Sequence, residues 1–329
     1  MHHIICRGIE RRRIFRDNKD RDSFLSRLGG ILQDTSTQCY AWALIPNHFH
    51  LLLKTGDMAI AAVMRRLLTG YAVAFNRRHN RHGHLFQNRY KSILCQEESY
   101  LLELVRYIHL NPLRANLISD YSKLHSYRYC GHSRVMGEIV SEWQATEPVL
   151  RYFGKNISSA RRKYAEFVED GIASGQRLDL TGGGLIRSLG GWKAFAARRS
   201  MNERMQSDER ILGDGDFVKN VLKEAEEALE RREQYRSSGF GFDRLLELVA
   251  GLYNLNSAEI VSSGKQPLRV EARDVLSFWA VRGLGIRVTE VATRVGLTQP
   301  AASRAVHRGE RIVREKNYSL EQLMERMKS

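Results

Sequence analysis

Apolar positions in the first part of the chain switch repeatedly between strand and helix periods. "HHIICRGI" (2–9) is a short run that predicts a strand, and "DSFLSRLGGILQD" (22–34) carries apolar residues at helical spacing behind a cap at Asp20 or Asp22. "TQCYAWALI" (37–45) and "HFHLLLKT" (48–55) predict two strands joined at Pro46–Asn47, a turn-forming pair, and so a hairpin. "MAIAAVMRRLLTGYAVAFNRRH" (58–79) predicts a long amphipathic helix, "FQNRYKSILC" (86–95) a further strand, and "ESYLLELVRYIHLN" (98–111) a helix stopped by Pro112. The order β-α-β-β-α-β, then a helix, predicts an α+β fold: a ferredoxin-like split β-α-β antiparallel sheet with helices on one face.

From about residue 113 the pattern changes. "SSARRKYAEFVEDGI" (158–172) predicts an amphipathic helix, "TGGGLIRSLGG" (181–191) a flexible connection, and "FVKNVLKEAEEALERREQY" (217–235) a long charged helix. "TGGG" lacks the lysine and spacing of a phosphate-binding loop. The last ninety or so residues read as helical throughout. Within "RVTEVATRVGLTQPAASRAVHRGERIV" (287–313), a short helix with Val288, Val291, Ala292 and Val295 inward, a turn at Gly296 and a second helix from Thr298 predict a helix-turn-helix. Thr298 suits the N-cap, and Pro300 is tolerated in the first turn. Small Ala301, Ala302 and Ala305 leave Gln299, Ser303, Arg304, His307 and Arg308 to face DNA; the alternative is an ordinary helical hairpin. The expected domains are 1–135, a helical connector over 136–238, and a helical DNA-binding domain over 239–329.

Composition narrows the chemistry. A formal charge of +15 over 329 residues points to a polyanionic partner, nucleic acid first, with a merely basic surface as the alternative. Ten of the eleven histidines lie between His2 and His132, which separates the two ends of the chain in kind. Cys6, Cys39, Cys95 and Cys130 form no CxxC pair, so they are expected to be reduced, semi-buried apolar residues. No apolar run approaches the roughly 20 residues that span a bilayer, and the opening "MHHIICRGIERRRIF" does not read as a signal peptide. A cytoplasmic protein with no membrane partner is the expectation.

Against that background "PNHFHLLL" stands out. In a strand, His48 and His50 share one face while Phe49 and Leu51 take the other, so two imidazoles form a clamp suited to a divalent metal. A structural zinc site would need two more Cys or His ligands, and a surface histidine pair is the alternative. On the helix that follows, Tyr107 and Asn111 are four apart and share a face. Asn111 could equally be a C-terminal cap and Tyr107 a core aromatic.

"PNHFHLLL", with "YIHLNPLRANL" about sixty residues later, resembles the IS200-like single-tyrosine transposases of the HUH endonuclease superfamily, most closely the REP-associated tyrosine transposase branch. "HHIICRGIERRRIFRDNKDRDSFL", "GHLFQNRYKSILCQEESYL" and "RRKYAEFVEDG" fit the same pattern in the same order. Residues from about 270 to 313 resemble the DNA-binding helix-turn-helix of DnaA-type proteins. The first resemblance implies that His48, His50 and Asn111 hold Mg²⁺ or Mn²⁺ and that Tyr107 attacks a phosphate of single-stranded or hairpin DNA. The product would be a 5′-phosphotyrosine and a free 3′-hydroxyl. It also implies a monomer or a homodimer, with the C-terminal domain adding duplex DNA affinity. Many IS200 members have glutamine where this chain has Asn111, while the Asn-Pro pair fits the REP-associated branch. His109 points nearly opposite Tyr107 and ranks below Asn111 as a ligand; Tyr100, on the Tyr107 face, is the second nucleophile candidate.

Arg7, Arg11, Arg12 and Arg13 follow the first strand, and Arg89 and Lys91 flank the fourth, as expected phosphate contacts; Phe86 and Tyr90 could stack on bases. Two other readings remain at this point. One is a non-catalytic helix-turn-helix regulator with a relic nuclease domain. The other is an RNA-binding protein, disfavoured because one sheet face carries histidines rather than paired aromatics.

Overall fold

The structure is a computed structural model, and residues 1–87, 89–173, 180, 210–262, 264 and 266–326 are described. "TGGGLIRSLGG" lies outside them. The chain divides into two units, Met1–Val221 and Leu222–Ser329.

In the first unit β1 (His2–Arg7), β2 (Gln38–Ile45), β3 (His48–Lys54) and β4 (Lys91–Cys95) form an antiparallel sheet, and the two-residue β5 (Ile211–Leu212) adds parallel to β4; the order is β2-β3-β1-β4-β5. The helices are α1 (Asn18–Asp34), α2 (Ile60–Arg78), α3 (Glu97–His109), α4 (Asn111–Arg114), α5 (His132–Met136), α6 (Glu147–Leu150) and α7 (Ile157–Asp170). The α+β class and the split β-α-β order are as expected.

The expectation of helices on one face is corrected. Phe49, Leu51 and Leu53 of β3, with Ile4, Trp42 and Leu44, pack on Phe24, Leu28, Val63 and Leu67 of α1 and α2. On the other face Leu52, Ala41, Ala43 and Ile93 pack on Leu101, Leu104, Val105 and Ile108 of α3 and on Tyr164 and Val168 of α7. β2 and β3 are apolar at successive positions, which is the pattern of strands buried on both faces. Val149, Leu150, Ala160 and Tyr164 belong to this second core.

Local boundaries also move. The cap of α1 is Asp17, whose side chain accepts from the Asp20 amide, while buried Asp20 is engaged by Arg78, the last residue of α2, and by His79 just after it. β4 is shorter than expected: of residues 86–90, Phe86 makes a single bridge to Gly8. Pro112 does not simply stop a helix; α3 ends at His109, and Pro112 sits in the first turn of α4, where its missing N–H costs nothing. All four cysteines are fully buried, more deeply than expected.

The second unit contains α8 (Gly215–Ser237), whose N-terminal turns precede the division, then α9 (Phe242–Tyr253), α10 (Ser257–Val261), α11 (Pro267–Phe278), α12 (Val288–Arg294), α13 (Gln299–Glu315) and α14 (Leu320–Arg326). Leu245, Val249, Ile260, Val275, Leu276 and Val291 form its core. Ala302, Ala305, Val306 and Gly309 repeat at the spacing of one helix face and are buried. Gly309 brings α13 so close to α11 that a Cβ there would lie 2.0 Å from the Asp274 carbonyl oxygen. Among the described residues, no helix is long and apolar enough to cross a membrane.

Candidate active site

β3 lies inside the sheet, and its register places His48 opposite Arg7 and Ile45, and His50 opposite Ile5 and Ala43. Alternation sends His48, His50 and Leu52 to the α3 face. Small Ala43 beside His50 leaves room for the ring under the helix. His50 is 3% exposed and His48 is half-buried.

A third histidine, not anticipated from spacing, joins them. His3 on β1 is fully buried, its Nε2 lies 3.1 Å from Nδ1 of His50, and the two rings stack at 5.3 Å between centroids. Its neighbour His2 faces the other way and bonds Ser92 Oγ at 3.2 Å. The Tyr107 ring stands edge-on to His50 at 5.8 Å and to His3 at 6.0 Å, while His48 stands edge-on to His50 at 5.2 Å. Four rings from β1, β3 and α3 thus converge.

The protonation of this cluster follows from its surroundings. Nδ1 of His48 lies 2.7 Å from Oδ1 of Asn47, and an amide oxygen only accepts, so Nδ1 carries the proton and the lone pair is on Nε2. Asn47 in turn donates from Nδ2 to the Arg11 carbonyl at 3.3 Å, which fixes the amide's orientation. Burial, reinforced by the Arg7 charge, pushes the His48 pKa down to about 4. Burial, then the neighbouring His3, His48 and Arg7, holds His50 well below the ordinary imidazole value. Both are neutral near pH 7, the form that binds a metal.

Asn111, the first residue of α4, is linked to Tyr107 through the backbone. Its Nδ2 donates to the Tyr107 carbonyl at 3.0 Å and to the Ile108 carbonyl at 3.4 Å, leaving Oδ1 as the side-chain atom with lone pairs to offer. Cap and ligand are therefore compatible roles. Among the described residues, no group of three or more His, Cys, Asp and Glu could hold a metal ion. A site here needs the amide oxygen, and two neutral imidazoles with an amide oxygen suit a divalent cation kept open to substrate.

Arg114 is a second residue that spacing did not bring forward. Its guanidinium lies over the Tyr107 ring, 5.4 Å from the centroid, and donates to the Tyr107 carbonyl at 3.4 Å. His109 turns away from the histidine cluster, into the second core: its Nδ1 lies 2.6 Å from the Tyr164 hydroxyl, which also meets Nδ1 of His132 at 3.0 Å. Tyr100 packs partly buried in the same second core.

With that geometry in place, comparison with known proteins is informative. Residues 1–111 match the family model described as transposase IS200 like, a stretch that holds His3, His48, His50, Tyr107 and Asn111. A solved structure of a REP-associated tyrosine transposase bound to a REP hairpin is 15% identical; the match covers 44% of this chain and 84% of that one, with a TM-score of 0.34. No curated protein matches.

Around the histidine cluster the basic residues divide. Arg7 is exposed at the end of β1 opposite His48. Arg11 sits at positive φ beside Asn47, and Arg12 pairs with Glu10 at 2.8 Å on the surface, an ion pair of small energetic weight. Lys91 is exposed on β4. Arg89 lines a hollow of about 680 Å³ with Arg65, His84, Phe86 and Tyr90. Arg65 and His84 extend the anticipated Phe86–Arg89–Tyr90 cluster and come from α2 and the loop before β4.

In the second unit α12 and α13 are joined through Gly296 at φ 65, as the spacing predicted. Thr298 occupies the N-cap position without a side-chain cap bond. Gln299 and Arg304 are exposed, and Ser303 and His307 are half-buried. Arg308 is exposed and forms a two-pronged pair with buried Asp274 of α11, at 2.6 and 2.8 Å.

Proposed function

We propose that this protein is a metal-dependent single-stranded DNA endonuclease and strand transferase in which Tyr107 is the nucleophile. The observation that carries the reading is the convergence of the Tyr107 ring with His50 and His3, next to His48, in a stretch that matches the IS200-like transposase family model. His48, His50 and Asn111 would hold a Mg²⁺ or Mn²⁺ ion, which would supply Lewis-acid stabilisation and orientation of the scissile phosphate. The Tyr107 hydroxyl oxygen bonds to phosphorus as the bond to the 3′-oxygen breaks. The phenol loses its proton and the departing 3′-oxygen gains one, so a 5′-phosphotyrosine and a free 3′-hydroxyl result. Attack by another 3′-hydroxyl reverses the step and joins strands.

Phenol is a weak nucleophile at neutral pH, and the Arg114 guanidinium lies over the Tyr107 ring. Arg7, Arg11, Arg12 and Lys91 steer backbone phosphates, while Phe86 and Tyr90 with Arg65 and Arg89 suit an unpaired base and its phosphate. In the second unit, Gln299, Ser303, Arg304 and His307 on α13 form the duplex DNA surface of a helix-turn-helix. Repeat-derived hairpins, which combine duplex with single-stranded flanks, are the substrate class that uses both units.

The test is a denaturing gel with a labelled oligonucleotide taken from the DNA flanking the gene. The wild-type chain forms a covalent adduct only with Mg²⁺ or Mn²⁺ present, and Tyr107→Phe forms none while still binding the oligonucleotide. An adduct from Tyr107→Phe moves the nucleophile to another tyrosine, Tyr100 first. DNA binding with no adduct under any divalent ion favours the regulator reading instead.

A further inference from the structure

We infer that His3 is a positioning residue: it selects which nitrogen of His50 is offered to the cation and braces the Tyr107 ring. The inference rests on the metal-nuclease reading above. His3 lies on β1, and the contact to His50 runs diagonally across the pair of strands, since the register sets Ile5, not His3, directly opposite His50. Nε2 of His3 and Nδ1 of His50 are 3.1 Å apart, and one of the two must carry the proton. When His50 donates, its remaining lone pair is on Nε2, available to a cation. When His3 donates, His50 presents an N–H at Nε2 and cannot ligate through it.

The same logic is already enforced at His48, whose Nδ1 faces the amide oxygen of Asn47. A pair of ligands held alike, each with Nδ1 engaged and Nε2 free for metal, is the arrangement in which outer partners fix ring and tautomer. The partner at His50 is an imidazole rather than an oxygen. It is fully buried, stacked on His50 with 24° between the planes, and edge-on to Tyr107 at 75°. One side chain therefore orients both the ligand and the nucleophile, and His3 touches neither substrate nor phosphate in this role.

Two measurements on the full chain test this. Long-range ¹⁵N–¹H correlation spectra of the metal-free protein report which nitrogen of His50 is protonated; the expected answer is Nδ1, and protonation at Nε2 overturns the proposal. Mn²⁺ affinity, read from the free-ion EPR signal, is expected to fall at least about tenfold in His3→Leu, which keeps apolar volume but no acceptor, and to return to within about threefold in His3→Gln. Wild-type affinity in a folded His3→Leu overturns it as well. If His3→Leu does not fold, the wild-type tautomer and the His3→Gln affinity decide. If the wild-type chain binds no Mn²⁺, the metal reading fails on its own account, and the tautomer measurement still decides the role of His3.

Discussion

Asn47 holds His48 by its Nδ1 at 2.7 Å, so the turn residue that ends one strand of the hairpin also sets the tautomer of the first histidine on the next. Asn47→Ala is expected to weaken Mn²⁺ binding about tenfold, and Asn47→Asp to retain or strengthen it, because a carboxylate accepts the same proton. Isothermal titration of both variants checks this. Equal affinity in wild type and Asn47→Ala removes the tautomer argument at His48.

Acid stability follows from the second core. Burial pushes His109 down to about 3 and His132 well below the ordinary 6.5. The unfolded chain binds these protons first, so their contribution is complete above about pH 6.5 and is lost as pH falls toward 3. Each histidine contributes a slope of up to about 1.4 kcal/mol per pH unit in that window. Urea unfolding at pH 7.5 and pH 5 should show a clear fall in the midpoint; a flat profile contradicts the assignment.

Gly309→Ala places a methyl group 2.0 Å from the Asp274 carbonyl oxygen, which is backbone and cannot swing aside. Separation of α13 from α11 also strains the Arg308–Asp274 pair. The expected loss is roughly 2 kcal/mol or more in the second unit. Thermal unfolding followed at Trp279 reads it, and an unchanged transition would show that the helices part freely.

Arg304→Ala tests the duplex surface on α13. Loss of one phosphate contact lowers duplex affinity and reduces the slope of log affinity against log salt by about 0.9. The covalent adduct on a single-stranded oligonucleotide should be unaffected. A slope identical to wild type places the duplex contact elsewhere.

Much of this site was legible because its parts are local. The alternation through His48–Leu51 and the four-residue step from Tyr107 to Asn111 each lie within one short stretch, and motif order tied the stretches together. His3 was not, since its role depends on the register between β1 and β3, forty-seven residues apart in sequence, and "HH" at 2–3 does not say which ring faces α3. A signal for helices on both faces was present in the uninterrupted apolar run of β2, which has no polar side to leave in water. Pro112 misled because a proline reads the same whether it ends one helix or begins the next. Arg308 reads as outward from helix spacing and is exposed, but its pairing was not legible, because Asp274 comes from a helix far away in sequence.

Helix α3 also divides the ways in which the protein can vary. Tyr107 and His109, two residues apart, serve opposite sides: one among the histidines, the other bonded to Tyr164 in the core. If Tyr107 is the nucleophile proposed above, a ring without its oxygen at 107 keeps the fold and forfeits only chemistry, whereas at 109 every substitution is felt first as lost packing and an orphaned hydroxyl. A library selected for soluble expression and one selected for strand joining would therefore agree at position 109 and diverge at 107, and that divergence separates chemistry from architecture along a single turn of helix.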